Sequence, residues 1–540
     1  MQAASTGFSP SPRQRPRRRG PMRKSDQTRL SEIYASTIVL LLPPLLIFFV
    51  TASTTPDQSL YDEWWIRAVN RYVPIYSLGV LASTCYRIIR QVPEALWTPF
   101  VWFPFQSAIF FVFGTMVGVW GSAETLQSRM FHPLTIDMVQ LLNVNLLLGV
   151  GIPLVLAGMY GSLAWLPDLK TEKAKGQASK FLAMPDKIVP IALLTIFAGG
   201  LFRYGLMKPM QWGMIDGTLS GVFSSMGFVI DLGFAMLAYC VGLKGGRSYA
   251  FLLALLLPIH LILSLFSFAK LEIVVALMLP VLGLHLARRR MHELAIGTVV
   301  VVVAYILAGP IVTHGRTQLT ILTGDLNQGT YSDRAGAVAS YFTAPETTQM
   351  VRTHTPNIQG WWMRLDFAGP IANAMELHRL GQVSNSLETA WMRFVPRLIW
   401  PDKPILAGPG AEFYSLILGR ETSTLVGLSI YGDAFWQYGW KGIFVICPIV
   451  GFCFGFVGRH TLKWVTERSF LFFPLVFYVI LWSADGPSKY LVNGFIGSMP
   501  LIAAYWIAMS FIHPYLNIGR QGARRRRVVR TPRPIPPVSA

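Results

Sequence analysis

Apolar runs of roughly twenty residues recur along this 540-residue chain, each long enough to cross a hydrocarbon core of about 30 Å. About twelve such segments stand out, near 33–52, 72–90, 99–121, 136–165, 187–204, 217–243, 248–268, 270–287, 294–313, 434–458, 469–485 and 489–511. The pattern predicts an all-α polytopic membrane protein. One long polar interruption runs from His314 to Tyr431. Within it Phe367, Ile371, Ala372, Met375 and Leu380 recur at near-helical spacing, which predicts an amphipathic helix on the membrane or capping the bundle.

Composition agrees with the pattern. Hydrophobic residues make up 52% of the chain and charged residues 14%, where a soluble chain would carry about 25% charged. The formal charge of +20 is concentrated in residues 13–29 and 520–533, stretches rich in Arg and Pro without apolar periodicity. They are expected to be disordered cytoplasmic tails that fix topology and touch anionic membrane lipids, with no nucleic-acid partner. The first apolar run follows a long basic region and is span-sized, so it is expected to act as a signal anchor.

Charge also orders the spans. With the N-terminus inside, the even-numbered spans end in the cytoplasm, and their ends carry Arg87 and Arg90, Lys170 to Lys180, Lys244 and Arg247, Arg288 to Arg290, then Arg459, Lys463 and Arg468. This alternation predicts N-in/C-in topology in a bacterial inner membrane, with the long loop periplasmic. The expected divisions are a tail over 1–32, nine spans over 33–313, a catalytic or binding loop over 314–431, three spans over 432–511, and a tail over 512–540. Cys85, Cys240, Cys447 and Cys453 all fall in or beside apolar segments, so neither a structural disulfide nor an extramembrane cysteine nucleophile is expected.

No P-loop, dinucleotide fingerprint, HExxH or CxxC pair occurs, which argues against a nucleotide-driven pump and a zinc protease. No metal or cofactor is expected. The loop itself is cationic, with Arg316, Arg334, Arg352, Arg364, Arg393, Arg397, Lys403 and Arg420. Arginine forks and a lysine suit a diphosphate, the anion a lipid carrier presents at that face. Trp361, Trp362, Trp391, Trp400 and Trp436 could stack on sugars or anchor the loop at the interface. Asp366, Asp402, Glu412, Glu421, Asp433, His314, His354 and His378 are the loop's possible bases, with Asp366 and Asp433 standing out beside apolar segments. Among ionisable residues in or beside the spans, Asp231 falls mid-span and is expected to have a substrate, proton or pairing role. Lys270 and Glu272 lie at an outer junction, Asp485 and Lys489 flank the last outer turn, and His260 reads as a packing histidine.

Several strings in the loop come in a familiar order. They are Arg364-Leu365-Asp366, then Pro396-Arg397-Leu398-Ile399-Trp400-Pro401-Asp402-Lys403-Pro404, then Thr422-Ser423, then Gly432-Asp433-Ala434-Phe435-Trp436-Gln437-Tyr438-Gly439-Trp440-Lys441-Gly442. This resembles the Wzy-type polymerases that build O-antigen and exopolysaccharide from oligosaccharide repeat units. Asp433 stands where that family usually has Glu, Phe435 where it has Tyr, and Gln437-Tyr438 where it has Asn-Phe. The resemblance implies a nucleotide- and metal-independent glycosyltransferase acting on undecaprenyl-diphosphate-linked oligosaccharide, possible partners being a chain-length regulator and a flippase. It makes Arg397 and Lys403 candidate ligands of the diphosphate. Together with the residues' own reading, the expected catalytic residues are Asp366 and Asp433, and the expected substrate contacts are Arg316, Arg364, Arg397, Lys403, Arg420, Trp400, Asp231 and Lys270. The alternatives are an O-antigen ligase, a GT-C enzyme using Asp57, Asp62 and Glu63 of the first outer loop, and a lipid-linked glycan flippase relying on Asp231 and Lys270.

Overall fold

The computed structural model describes residues 25–55, 64–121, 134–169, 185–216, 226–243, 248–324, 328–343, 362, 365–395, 400, 409–422, 426–467 and 472–511. Among them the chain is helical and has no strand. Hydrocarbon solvent enforces this choice, because a spanning helix satisfies its own backbone donors and acceptors.

Nine helices among the described residues are long and apolar enough to cross a membrane. They are α1 (Asp26–Thr54), α3 (Pro99–Trp120), α4 (Met138–Trp165), α5 (Ile188–Gln211), α7 (Ser248–Leu265), α8 (Lys270–Arg288), α9 (Met291–Thr323), α13 (Ser429–Glu467) and α15 (Leu491–Phe511). Three further expected segments also fall on helices. Helix α2 (Trp64–Gln91) has the length but carries Asn70, Arg67, Arg71, Arg87 and Arg90. Helix α6 (Met226–Gly242) is apolar but shorter, and α14 (Phe473–Asp485) has 13 residues.

Some boundaries differ from expectation. Ser25 accepts a hydrogen bond from the Thr28 amide at 3.1 Å, and this N-cap starts α1 inside the expected tail. Helix α9 runs on to Thr323, so His314 and Arg316 sit on a membrane helix rather than at the start of a loop. Helix α5 continues past 204 to Gln211 and so adds Lys208 to the bundle beside Arg203. Helix α6 opens with a 3-10 turn, Met226–Phe228, and Asp231 lies in the first turn of the α-helical part that follows, Val229–Gly242.

Helix α13 packs along α4 through close glycine contacts. A Cβ on Gly451 would lie 1.9 Å from the Val155 carbonyl oxygen, so no larger residue fits that crossing. The core gathers α1 to α4, α6, α8, α13 and α14. At one end of the bundle the start of α1 meets the end of α2, where Arg29 donates to the Gln91 carbonyl at 3.4 Å. At the same end Arg289 pairs with Glu94 at 3.0 Å, Trp97 stacks on His285 at 5.8 Å, and Arg459 donates to the Pro167 carbonyl.

The long interruption is largely helical where it is described: α10 (Tyr331–Thr343), α11 (Ala368–Arg379) and α12 (Pro409–Leu418). Helix α11 is the expected amphipathic one. Its Ile371 and Ala372 are buried against the core, Met375 is half-buried, and Leu380 projects outward. It caps the bundle.

Candidate functional site

The last element carrying the polymerase resemblance folds in a way its spacing did not announce. Helix α13 is broken at Gly439, whose φ of 58° and ψ of −145° fall in a region kept almost wholly for glycine. A Cβ there would also lie 2.6 Å from the His378 ring, so both backbone and space demand glycine. The break separates a ten-residue piece, 429–438, buried except for Tyr438, from the membrane helix that follows.

That piece is locked on all sides. Asp433 has no exposed surface. Its Oδ1 accepts from Gln437 Nε2 at 2.7 Å and its Oδ2 from the Leu491 amide at 2.8 Å. Gln437 then reaches the loop, accepting from the Leu387 amide at 3.0 Å and lying 3.1 Å from Ser386 Oγ. Trp436 is also buried; its indole donates to the Gln382 carbonyl at 2.7 Å, and its own carbonyl accepts from His378 Nδ1 at 3.0 Å. Trp436 is therefore neither a sugar platform nor an interface anchor. As placed, both oxygens of the Asp433 carboxylate are engaged and it has no surface, so its contacts run to Gln437, and through it to Ser386 and Leu387, rather than to a ligand-accessible space.

Asp366 lies nearby in a different state. It is partly exposed, and its Oδ1 accepts from the Ala368 amide at 2.8 Å at the start of α11. Next to it, Phe367 packs edge-on against Phe111 at 5.7 Å, and Phe111 packs on Tyr431 at 5.0 Å. Asp366 and Asp433 thus flank one aromatic cluster. Trp362 pins the loop to α3, donating to the Phe113 carbonyl at 2.8 Å and stacking on the Phe113 ring. Helix α12 covers the site from another side, with Phe413 against Trp436 at 5.3 Å. Glu412 on that helix is exposed, yet the protein around it takes some water from its carboxyl and pushes it above its ordinary value.

Trp400 stacks on Trp391 at 6.0 Å, and Trp391 is exposed. Arg420 is exposed just beyond α12. Arg364, Arg397 and Lys403 lie outside the described residues, as do Asp402 and His354.

The remaining candidates belong to a second cluster, between α5, α6, α7 and α8. Asp231 is wholly buried and accepts from Arg203 at 2.7 Å and pairs with His260 Nε2 at 2.8 Å. Arg203 continues to Glu272 at 2.7 Å, and Glu272 to Lys208 at 2.6 Å. On the far side His260 Nδ1 meets the Tyr204 hydroxyl at 2.9 Å, which meets Ser264 at 3.0 Å. His260 is thus part of a network, although its stacking on Phe234 at 4.8 Å is also good packing. Two acids and two bases make the quartet formally neutral, which suits a low-dielectric site.

Arg316 and Lys270 stand beside this network. Arg316 donates twice to the Phe268 carbonyl, at 2.9 and 2.6 Å, and so caps the turn between α7 and α8. Arg334, on α10, donates to the Phe266 carbonyl at 3.1 Å and lies 4.0 Å over Trp212. Lys270 opens α8 with its ammonium 5.4 Å from the Tyr305 ring. The structure therefore gathers Asp231, Lys270 and Arg316 in one region and Asp366 and Asp433 in another. Arg203 and Lys208 escaped sequence reasoning, although an arginine and a lysine within the apolar run 188–211 were a signal of their own.

Among the described residues no group of three or more His, Cys, Asp or Glu side chains could hold a metal ion. No family model, no curated protein and no solved structure matches the chain.

Proposed function

We propose that this protein is a twelve-span, N-in/C-in glycosyltransferase of the bacterial inner membrane. It joins undecaprenyl-diphosphate-linked oligosaccharide repeat units at the periplasmic face, extending an O-antigen or exopolysaccharide chain. One observation carries the reading. The string Gly432 to Gly442, which bears the polymerase resemblance, is broken at Gly439, and its part Gly432–Gln437 is buried and locked under the loop near Asp366.

The chemistry follows from the parts. An acceptor sugar hydroxyl attacks the anomeric carbon of the growing chain. The bond to undecaprenyl diphosphate breaks, and the proton passes to a base. Asp366, the partly exposed carboxylate, takes that proton, while Asp433 holds the segment in place through Gln437. Arg364, Arg397 and Lys403 hold the departing diphosphate, and Arg420 and Trp400 complete the loop's contacts with substrate.

The test is genetic. In a strain deleted for the gene, complementation with Arg397→Ala or Asp366→Asn should leave surface glycan as single repeat units, while wild type restores a ladder. A normal ladder from variants present at wild-type level would end the proposal. The second reading, a transporter of lipid-linked glycan, is favoured by the Asp231 quartet inside the membrane. It gives a different result in the same strain: no surface glycan, with the lipid-linked unit trapped inside.

A further inference from the structure

A chain of hydrogen bonds runs inward from the end of α7. Ser264 lies one residue before that end, and its Oγ is 3.0 Å from the Tyr204 hydroxyl of α5. The same hydroxyl is 2.9 Å from His260 Nδ1, and His260 Nε2 is 2.8 Å from Asp231 Oδ1 on α6. Ser264 and His260 are four residues apart on one helix, so the chain steps about 6 Å along α7. Ser264, His260 and Asp231 are buried, while Tyr204 is half-buried and gives the chain its surface.

The two ring nitrogens of His260 are not equivalent. A carboxylate oxygen only accepts, so Nε2 carries a proton toward Asp231, and Nδ1 is the position left to vary. Tyr204 suits either state of Nδ1. When that nitrogen is bare, the Tyr204 O–H donates to it. When it carries a proton, it donates to the Tyr204 oxygen, and the hydroxyl proton turns to Ser264 Oγ or to the His260 carbonyl at 3.4 Å. No heavy atom has to move between the two.

The surrounding charges allow the second state. Helix α5 brings Arg203 and Lys208, α6 Asp231, and α8 Glu272, the balanced quartet already described. Helix α8 also brings Lys270, whose ammonium faces Tyr305. His314 and Arg316 of α9 bond to Ser340 and to the Phe268 carbonyl, and Arg334 of α10 bonds to the Phe266 carbonyl. Tyr331 of α10 donates to the Tyr204 carbonyl. Among the described residues, the polar side chains that meet the His260 ring are Asp231 and Tyr204. A charge on the ring therefore has a carboxylate as its nearest ionic neighbour.

We propose that His260 is a proton-binding site within the helix bundle, filled and emptied through Tyr204. The incoming proton joins the Tyr204 oxygen as that hydroxyl's own proton passes to His260 Nδ1, and release reverses both transfers. Asp231 orients the ring and stays paired with Arg203. The site makes the net charge of the α5–α8 cluster follow the acidity at the Tyr204 surface. It goes beyond the glycosyl transfer proposed above and holds equally for a transporter.

The test is solid-state 15N NMR of the full-length, histidine-labelled protein in nanodiscs, from about pH 8 to about pH 5. Phe234→Leu assigns the signal, because it removes the ring stacked on His260 at 4.8 Å. At the upper end His260 should show a protonated Nε2 and a bare Nδ1, and at the lower end a proton on both. Tyr204→Phe should lower the ratio of charged to neutral His260 about tenfold at any one pH, since the bond it removes is stronger in the charged state. If that variant does not fold, Ser264→Ala, which withdraws the next acceptor, should move the ratio in the same direction. One protonation state throughout, a bare Nε2, or a ratio unchanged in the variant measured would overturn the inference.

Discussion

Asp231 and Asp433 each lie near the start of a helix with no exposed surface, yet one is held by ions and the other by neutral donors. Asp231 meets Arg203 and His260 and belongs to a quartet whose charges cancel. Asp433 meets an amide side chain and a backbone N–H, so its charge, when present, has no partner of opposite sign among those contacts. The first arrangement binds four helices by mutual compensation, and removing any member strands the rest. The second binds a short segment to a loop and to a distant turn, and each of its bonds can be lost singly. Burial of a carboxylate is therefore not one signal. Its partners decide whether it is a structural clamp or an adjustable pin.

The same isosteric change separates the two. Asp231→Asn leaves Arg203 with a buried charge less one partner and should cost about 3–5 kcal/mol, seen as a large fall in thermal unfolding temperature in detergent. The double variant Arg203→Met with Asp231→Leu should recover most of that loss, because the Glu272–Lys208 pair stays neutral on its own. If Asp231→Asn unfolds like wild type, the ionic clamp is not holding the bundle.

Gly439→Ala should cost about 1–3 kcal/mol from backbone strain, and contact with His378 adds to it. It should also shorten the glycan ladder, since it moves the segment that positions Asp433. A stable variant with full-length glycan would detach the break from function. Asp433→Asn should cost about 1–2 kcal/mol, because one amide oxygen replaces two acceptors. A loss as large as that of Asp231→Asn would erase the contrast between the two sites.

The smallest effect concerns Glu412. Partial desolvation of this exposed side chain raises its carboxyl above the ordinary 4.5, so the folded protein binds this proton more tightly than the unfolded chain. The stability it contributes is full below that ordinary value and is lost as pH rises through the raised one. Glu412→Gln should flatten that part of the stability curve on the mildly acidic side. An unchanged slope would mean the carboxyl is not held by the site.

Much of this was legible in the apolar rhythm. The helices fall where twenty-residue runs fall, because a bilayer demands length and internal hydrogen bonding and little else. Helix α11 was legible too, since Ile371 and Ala372 mark a buried face, with the half-buried Phe367 just before the helix packed on the same core. The partners of Asp231 were not. Arg203 lies 28 residues before it and Glu272 lies 69 residues after Arg203, and no local pattern encodes pairings across helices. Arg316 was legible as a cation, but its two bonds to the Phe268 carbonyl depend on a turn made by other residues. Gly439 was visible as part of a string, while its left-handed backbone followed only from the fold around His378.

The bond from the Leu491 amide to Asp433 spans 58 residues, and that distance is also a time. A ribosome adding about 5–20 residues per second makes the donor roughly 3–12 s after the acceptor. Through that interval Asp433 lacks one of the two bonds that hold it, while the membrane helix after Gly439 is already being delivered to the bilayer. The segment 429–438 lacks that bond until the last hairpin arrives. Only once Leu491, at the start of α15, is in place can that second bond form, so a chain truncated before Leu491 would leave Asp433 held by Gln437 alone.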